Sequence, residues 1–394
     1  MPRRSSPTIV LVTAIALSAS PPAIRGQSPT VRDSAGVEIV MNPSRKSAPV
    51  AFTLGLQPVL SIGGLEDDPD AEFDHNQGYL RAARLSDGRL AVIDVTRIHY
   101  FTPNGRRLQI IGRKGQGPEE FLYLTSICAT RGDTVFVRDS HNRRLSVLDG
   151  RGTFVRHIRQ QDNATTGFDS CLGDGTVLLQ QMVGRLVPGS PPPPTRLTRI
   201  RTDGQAVGVV VELPSAPFDM VAMTETTIQP FGDRIYYGSG LQHEVRVYDN
   251  EGTLRRIIRT DDDRVRITDA EVERRLSNTI PNNVGGAERS ARMERMRSMP
   301  HATHWPAFQR LIVGADGTLW MQHFRSMWPA EDVWTAFDST GRLIGNLVLP
   351  APTRTARMDV QSFGVNDVLV RRFDENRASH LTIFSLHRVA ARRP

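Results

Sequence analysis

The stretches SIGGLEDDPDAEF (residues 61–73) and IIGRKGQGPEEF (residues 110–121) are imperfect copies of one another. Each joins a short apolar run and a Gly to a loop rich in Gly, Pro and acidic residues, and each ends in Glu-Phe. The second copy lies inside a segment with a clear strand pattern, whereas the first precedes every complete repeat in the chain. The position of this half-repeat decides how the fold is read.

Six segments of the chain share one pattern: an Asp/Gly turn, two strands of alternating polarity, a Gly turn and a further strand. They are residues 87–112, 132–158, 173–213, 232–258, 315–349 and 365–389. Asp-Gly and Asn-Gly turns between runs of period two predict β-hairpins. One more short strand precedes each segment, which gives four strands per unit. Four-stranded units that recur along a chain indicate a β-propeller.

The sixth unit lacks its outermost strand, because the chain ends after the third. The stretch PVLSIGG (58–64) matches RLQIIGR (107–113), which is the outer strand of the first unit. We therefore predict that the N-terminal strand completes the last unit through backbone hydrogen bonds and so removes an open sheet edge. The predicted fold is an all-β, six-bladed β-propeller closed by an N-terminal strand.

The stretches GRKGQGPEEF, VFVRDSHNRRLSVLDGRG and PVLSIGG…AEF resemble the secreted six-bladed β-propellers of NHL-like type that many bacteria contain. The second unit matches the signature of such repeats well, at Asp139, Asn142, Arg143, Asp149 and Gly152, whereas the first and fourth units match partly and loop insertions interrupt the third and fifth. The resemblance covers about residues 36–390. It implies the fold and leaves the activity open, because propellers have many functions.

The N-terminus has the pattern of a secretory signal, with Arg3 and Arg4 ahead of the apolar run TIVLVTAIALSAS. We expect a signal peptide at 1–26, for which the alternative is a disordered tail, an N-terminal segment at 27–57 and the propeller at 58–394, in a secreted or periplasmic protein. No later apolar run is long enough to predict a transmembrane helix. In an oxidising compartment Cys128 and Cys171 would pair; the alternative is two buried thiols.

The 49 basic and 42 acidic residues are spread along the chain, and no basic block or nucleic-acid motif occurs. Nucleic acid is therefore not an expected partner. We expect a monomer that binds a small molecule, a peptide or a protein. The sequence contains no G-x-S-x-G elbow, Walker loop or H-E-x-x-H motif, so it favours a non-catalytic protein.

Long insertions fall on one face of the predicted propeller, at 183–194, 260–306 and 323–332. Long loops on a rigid scaffold often carry binding. The insertion at 260–306, between the fourth and fifth blades, has a helical pattern that begins with a capping box at Thr268 and Glu271. The insertion is either a lid over the mouth of the central channel that the ring of blades encloses, or a packing element. Its acidic start at 261–263 is expected to be solvated.

Aromatic, histidine and amide side chains in these loops are the candidate site residues. Trp305 and Trp328 would form an aromatic platform for a sugar or peptide, or else pack beneath the insertion. With His323 and Asn76 they are the candidate ligand-binding residues. His75, His301 and His304 are the candidate ligands of a divalent metal, because three neutral imidazoles suit zinc.

Three functions remain open at this level. The first is a propeller that binds a ligand or protein partner on the face with the long loops, without catalysis. The second is a metal-dependent lyase or hydrolase with a histidine-lined site at the channel mouth. The third is a structural scaffold in a surface assembly.

Overall fold

The computed structural model of the protein describes residues 28–63, 73, 80–159, 167–185, 187, 191–217, 219, 221–324, 331–350, 358–373 and 378–389. This part of the chain forms 28 β-strands, two α-helices and one 3-10 turn. The all-β class predicted from the repeats is confirmed. Neither helix is long and apolar enough to cross a membrane.

The N-terminal segment, for which no elements were predicted before position 58, forms a hairpin, a turn and a long strand. These elements are β1 (Thr30–Ser34), β2 (Val37–Asn42), the 3-10 turn (Arg45–Ser47) and β3 (Val50–Ile62). The hairpin turns at Ala35 and Gly36, which both have positive φ. The strand β3 begins eight residues before the predicted position 58.

Three antiparallel sheets of four strands follow in chain order. The first contains β4 (Arg81–Arg84), β5 (Leu90–Asp94), β6 (Arg97–Phe101) and β7 (Arg107–Ile111). A short parallel pair, β8 (Arg113–Lys114) and β9 (Glu120–Phe121), follows it. The second contains β10 (Leu124–Ala129), β11 (Val135–Asp139), β12 (Arg144–Leu148) and β13 (Phe154–Arg159). The third contains β14 (Gly167–Cys171), β15 (Val177–Met182), β16 (Thr195–Ile200) and β17 (Ala206–Leu213).

The fourth sheet has six strands, because the N-terminal hairpin is added to its outer edge. Its own strands are β18 (Thr227–Phe231), β19 (Arg234–Gly238), β20 (Glu244–Asp249) and β21 (Leu254–Thr260). The strand β2 pairs in parallel with β21, and β1 pairs with β2. The hairpin therefore satisfies backbone groups along an edge that would otherwise be open.

Two helices lie between the fourth sheet and the next strand, where the sequence predicted helices. They are α1 (Asp269–Thr279) and α2 (Gly286–Arg297). The Thr268 side chain accepts from the backbone N–H of Glu271, and the Glu271 carboxylate accepts from the backbone N–H of Thr268. This reciprocal pair is the capping box that starts α1. On the exposed side, Arg297 of α2 forms an ion pair with Glu273 of α1.

The remaining strands form one eight-stranded sheet with β3 in its middle. They are β22 (Arg310–Val313), β23 (Leu319–Gln322), β24 (Glu331–Phe337), β25 (Leu343–Pro350), β26 (Asp359–Phe363), β27 (Asp367–Phe373) and β28 (Ser379–Arg388). The first residues of β3 pair in parallel with β25. Its longer part pairs antiparallel with β28, so β3 connects the strands β22–β25 to the strands β26–β28.

The pairing of β3 with β28 is the one that the half-repeat predicted. Leu60 lies opposite Ile383, and Ile62 lies opposite Leu381. The last strand of the chain thus receives its neighbour from the N-terminus, and the edge of β28 is satisfied by backbone hydrogen bonds.

Between the sheets, the apolar core of the described residues consists of clusters that each join two neighbouring groups of strands. One cluster joins the first and second sheets, and others continue through the third and fourth sheets to β22–β25 and then β26–β28. The last cluster packs Leu369 and Leu381 against Leu90, Val92 and Phe101 of the first sheet. The strand groups therefore follow one another in a closed cycle. Burying a side chain such as Leu90 contributes about 1.5–3 kcal/mol.

A disulfide joins Cys128 of β10 to Cys171 of β14, with 5.7 Å between the two Cα atoms. Of the two alternatives left open by the sequence, the structure has the paired form. The bond connects the innermost strands of the second and third sheets.

Candidate functional site

A cavity of about 740 Å³ lies where the innermost strands of the sheets converge. Residues of β4, β10, β18, β22 and β26, which are first strands, and of β15 in the third sheet contribute to its wall. Every strand group therefore takes part in the lining. The volume falls in the range of roughly 300–1,000 Å³ that is typical of small-molecule sites.

The cavity lies toward one end of the strands, which we call the loop face. We define this face by the connections 183–194, 214–226, 261–309 and 323–324. Met182 and Thr195 of the lining flank the first of these connections, and Ser215 and Glu225 belong to the second. The repeat pattern of the sequence predicts the long insertions on this same face.

Among the described residues, the charged members of the lining are three guanidinium groups and one carboxylate: Arg81, Arg138, Arg310 and Glu225. Arg81 is exposed and donates to the side-chain oxygen of Gln361 over 3.2 Å. Arg310 donates to the carboxylate of Asp359 over 2.7 Å and to the carbonyl of Val360 over 3.0 Å, which fixes its side chain.

Hydroxyl and amide side chains line the cavity on the side of the third and fourth sheets. Thr195 and Ser215 are hydrogen-bonded to each other over 2.9 Å, and Thr227, Gln229 and Gln180 lie near them in the lining. Such groups donate and accept hydrogen bonds without carrying charge. These hydroxyls and amides are uncharged, and Glu225 of the connection 214–226 lines the cavity beside them, whereas Arg81 and Arg310 contribute guanidinium groups.

The described lining of the cavity includes no residue of the insertion. Leu276, Ile280 and Met296 of the insertion form a small core with Val221 and Ala222 of the connection 214–226. Of the two roles left open by the sequence, these contacts favour the packing element over the lid.

Buried Asp219 ties this connection to the insertion. Its carboxylate accepts from the backbone N–H groups of Val221 and Ala222, and from that of Ala302 over 2.6 Å. A buried carboxylate is stable only when such donors satisfy it. The link therefore holds the insertion against the loop face.

Trp305 belongs to the core of the insertion and does not form an open platform. Its ring stacks on Phe324 with 5.1 Å between centroids, and the guanidinium of Arg275 lies 5.3 Å from the ring centroid. The residue is only 8% exposed. The prediction that Trp305 offers its face to a ligand is wrong, because these neighbours cover it. Trp328, the other half of the predicted platform, lies outside the described residues.

The two predicted metal ligands that the structure describes both contact other protein groups. A ring nitrogen of His301 lies 2.9 Å from the carbonyl oxygen of Met296, and one of His304 lies 2.9 Å from the Thr303 hydroxyl. Within the described residues, no group of three His, Cys, Asp or Glu side chains has the spacing of a metal site. His75 and the predicted ligand-binding Asn76 lie outside those residues, so a metal site that includes His75 stays a prediction.

His323 belongs to a buried polar network around Arg45, which the sequence did not predict. Its Nε2 lies 2.7 Å from the Thr335 hydroxyl, and Thr335 donates to Asn346 over 2.7 Å. The Asn346 amide in turn donates to the carbonyl of Arg45 over 3.1 Å. His323 is absent from the described lining of the cavity, and its hydrogen bond to Thr335 joins it to this network, so its role in ligand binding stays a prediction.

Arg45 enters this network from the 3-10 turn and is almost fully buried. Its Nε donates to Asp262 over 2.8 Å, its Nη2 lies 2.8 Å from Nδ1 of His243, and it donates to the carbonyl of Ala307. Asp262 was expected to be solvated within the acidic run 261–263, but its side chain is 1% exposed. The expectation was wrong because a residue 217 positions earlier supplies the counter-charge.

The electrostatics of this network follow from burial and from the Arg45 charge. Burial alone would raise the pKa of Asp262, but the Arg45 charge and hydrogen bonds from Ser44 and Arg45 outweigh it and hold that pKa far below its usual value. Burial, and then the nearby guanidinium, lower the pKa of His243 to about 4. The same two causes lower the pKa of His323 to about 4. Both imidazoles are therefore neutral at neutral pH.

The repeat signature of the second sheet proves to be structural. The Asp139 carboxylate accepts from the backbone N–H groups of Leu122 and Tyr123, over 3.0 Å each. Asn142 donates to the carbonyl of Gly115. Arg144, rather than the Arg143 of the signature, donates to the carbonyls of residues 116 and 117. These contacts fix the loop that leads into the second sheet.

No protein-family model matches the chain, and no characterised protein of similar sequence was found. Solved structures of similar fold do exist. A DUF4221 family member from Bacteroides vulgatus has a TM-score of 0.54 at 10% identity, covering 86% of this chain and 99% of its own. The virginiamycin B lyase of Staphylococcus aureus has a TM-score of 0.40 at 11% sequence identity, and the match covers 86% of this chain and 90% of the lyase. A gluconolactonase of Xanthomonas campestris has a TM-score of 0.39 at 12% sequence identity, and the match covers 86% of this chain and 98% of the gluconolactonase.

The first of these likenesses supports an all-β, propeller-like fold for this chain. The identities are too low to carry an activity over, because one propeller scaffold serves unrelated functions.

Proposed function

We propose that this chain is a secreted or periplasmic propeller of NHL-like type that binds a small polar molecule in the cavity at its loop face, without catalysing a reaction. The observation that carries the proposal is the lining. Every strand group supplies residues to one concave space, and the polar side chains among them are arginines, amides, hydroxyls and the carboxylate of Glu225. These groups hold and orient a ligand.

The six-bladed form of the fold is part of this proposal. The closed cycle of core clusters supports it, since β27 and β28 pack on the first sheet. In this reading β22–β25 and β26–β28 are separate blades, β3 is the outer strand of the last blade, and α1 and α2 form an insertion between blades four and five.

The proposed location has two supports. The first is the leader-like pattern of residues 1–26. The second is the disulfide between Cys128 and Cys171, because such bonds persist in oxidising compartments. A small molecule is favoured over a protein partner because the site is concave and lies where the innermost strands converge.

A ligand screen by thermal denaturation tests the proposal. The panel contains neutral sugars, sugar acids, amino acids, short peptides and nucleotides, and each compound that raises the melting temperature is then titrated by calorimetry. Binding of a compound to the native state raises its stability by mass action. We expect one chemical class to bind with a stoichiometry of one.

The matched variants Gln229→Trp and Gln205→Trp locate the binding. Gln229 lines the cavity, whereas Gln205 lies in the exposed turn between β16 and β17, away from it. We expect Gln229→Trp to abolish binding and Gln205→Trp to preserve it. Absence of binding by every compound, or equal binding by both variants, would overturn the proposed site. Turnover of the bound compound that is lost on changing cavity residues would overturn the non-catalytic assignment.

A further inference from the structure

Two arginines on the same strand differ in how their charge is satisfied. Arg84 of β4 donates to both carboxylate oxygens of Asp367, over 3.0 and 2.8 Å. Arg81 of the same strand lines the cavity, and its described hydrogen-bond partner is the neutral amide of Gln361. Within the described residues, Arg81 forms no ion pair. Its guanidinium therefore brings a charge to the cavity that no described carboxylate offsets.

The other charged groups of the described lining form no ion pair with Arg81. Arg310 is paired with Asp359, whose carboxylate Arg371 also contacts over 2.9 Å. Glu225 is the one acidic side chain in the described lining, and it belongs to the connection at the mouth of the cavity. An anion that enters the cavity is therefore attracted to the guanidinium of Arg81, which no described carboxylate contacts.

The rest of the lining indicates what the anion carries besides its charge. The hydroxyls of Thr195, Ser215 and Thr227 suit the hydroxyl groups of a ligand. Ile127 and Leu311 add apolar surface to the wall, which suits the C–H face of a sugar ring.

We infer that the molecule bound in the cavity is a small hydroxylated carboxylate of the sugar-acid class, with its carboxylate on the guanidinium of Arg81. This inference rests on the proposed function and names its ligand class. Arginine favours carboxylates because its planar fork donates two parallel hydrogen bonds to their two oxygens. Gln361 holds that fork from one side through Nη1 and leaves its other N–H groups for the ligand.

The experiment compares matched pairs of sugars by calorimetry at low ionic strength. The compounds are D-galacturonate and D-glucuronate, their neutral counterparts D-galactose and D-glucose, and galactose 1-phosphate. We expect at least one uronate to bind at least tenfold more tightly than its neutral counterpart and than the phosphate ester. Its affinity should fall as salt is added, because the interaction is screened.

The variants Arg81→Gln and Arg84→Gln test whether the preference for uronates depends on the guanidinium of Arg81. Arg81→Gln should weaken uronate binding at least tenfold and leave the affinity for neutral sugars and the melting temperature unchanged. Arg84→Gln, which removes an exposed ion pair outside the cavity, should leave uronate binding unchanged. Four outcomes would overturn the inference while the proposed function stands. The acids and neutral sugars could bind equally, the phosphate ester could bind best, or only compounds of another class could bind. The fourth outcome is an unchanged uronate affinity in Arg81→Gln. Failure of every compound in the broader panel would overturn both.

Discussion

The ring of Phe73 lies against Gly63, and the ring of Phe121 lies against Gly112 in the same way. Both glycines have positive φ, +98° and +94°. A Cβ added to Gly63 would fall 2.6 Å from the Phe73 ring, and one added to Gly112 would fall 2.5 Å from Phe121. The two similar stretches of sequence are thus two copies of one packing unit, which leads from an outer strand into the next sheet.

The substitution Gly63→Ala should destabilise the fold, because the new methyl group meets both a strained φ and the buried Phe73 ring. We expect a loss of about 2–5 kcal/mol in the free energy of unfolding, measured in urea. Gly36→Ala is the matched control, since Gly36 has φ of +81° but open space around its Cβ position. It should cost about 1 kcal/mol. Equal losses in the two variants would show that Phe73 does not pack on Gly63.

The substitution Asp262→Asn should cost about 3–5 kcal/mol, because it leaves the Arg45 guanidinium buried without its counter-charge. Chemical unfolding measures the loss. Asp263→Asn changes the exposed neighbour in sequence and should leave the stability within about 0.5 kcal/mol of the parent protein. A small effect of Asp262→Asn would indicate that Arg45 reaches solvent in solution.

The stability should fall as the pH is lowered from about 6.5 to about 4. His243 and His323 have pKa values lowered to about 4 from 6.5, so in this window the unfolded chain binds protons that the native state does not. The effect is absent above pH 6.5, where both states are neutral. We expect a loss on the order of 2–3 kcal/mol for the pair, allowing for solvent screening at half-buried His243.

Unfolding curves of His323→Gln across the same pH range provide the check. The variant removes one of the two depressed imidazoles, so its stability should change less steeply with pH than that of the parent. His304→Gln is the control, because His304 lies outside the Arg45 network and contacts Thr303. A parent protein whose stability is flat between pH 6.5 and 4 would contradict the buried, neutral state of these imidazoles.

Reduction of the disulfide should lower the stability by about 2–4 kcal/mol, because the bond restricts the unfolded chain over a separation of 43 residues. Thermal unfolding with and without a thiol reductant measures this. The double variant Cys128→Ala/Cys171→Ala should show the lower stability in both conditions. A parent protein that is insensitive to full reduction would indicate that the link between the second and third sheets adds no constraint.

The repeats made the strands and the role of β3 predictable from sequence. Each unit carries its own turn residues and period-two pattern, so local signals suffice to place its strands. The pairing of β3 with β28 followed from the missing strand of the last unit. This prediction needed no knowledge of contacts, because an open sheet edge exposes unpaired backbone groups that a further strand satisfies.

The polar network around Arg45 was not predictable, because it joins residues that are far apart in sequence. Arg45 and Asp262 each look like an ordinary surface charge within its own segment. Only the closed arrangement of strands brings the two side chains together. Once they are buried, the charge of each is stable only because the other offsets it. Trp305 was misread for a similar reason: its neighbour Phe324 lies beyond an intervening strand pair.

The residues of the cavity were missed because they are polar members of short inner strands. Stretches such as RAAR (81–84) and LTSICA (124–129) carry polar side chains that a strand pattern counts as solvent-facing. In a ring of sheets the inner strands face a shared central space instead. The signal available in the sequence was the recurrence of Arg, Gln, Ser and Thr in the first strand of several units.

The measurement that tests the central claim most directly is a crystal structure of the protein soaked with the compound that binds most tightly in the calorimetric panel. The account predicts density for that compound inside the cavity, within hydrogen-bond distance of Arg81 and of the hydroxyls on the side of the third and fourth sheets. Density for the compound at the insertion or on the outer strands, with none in the cavity, would contradict it.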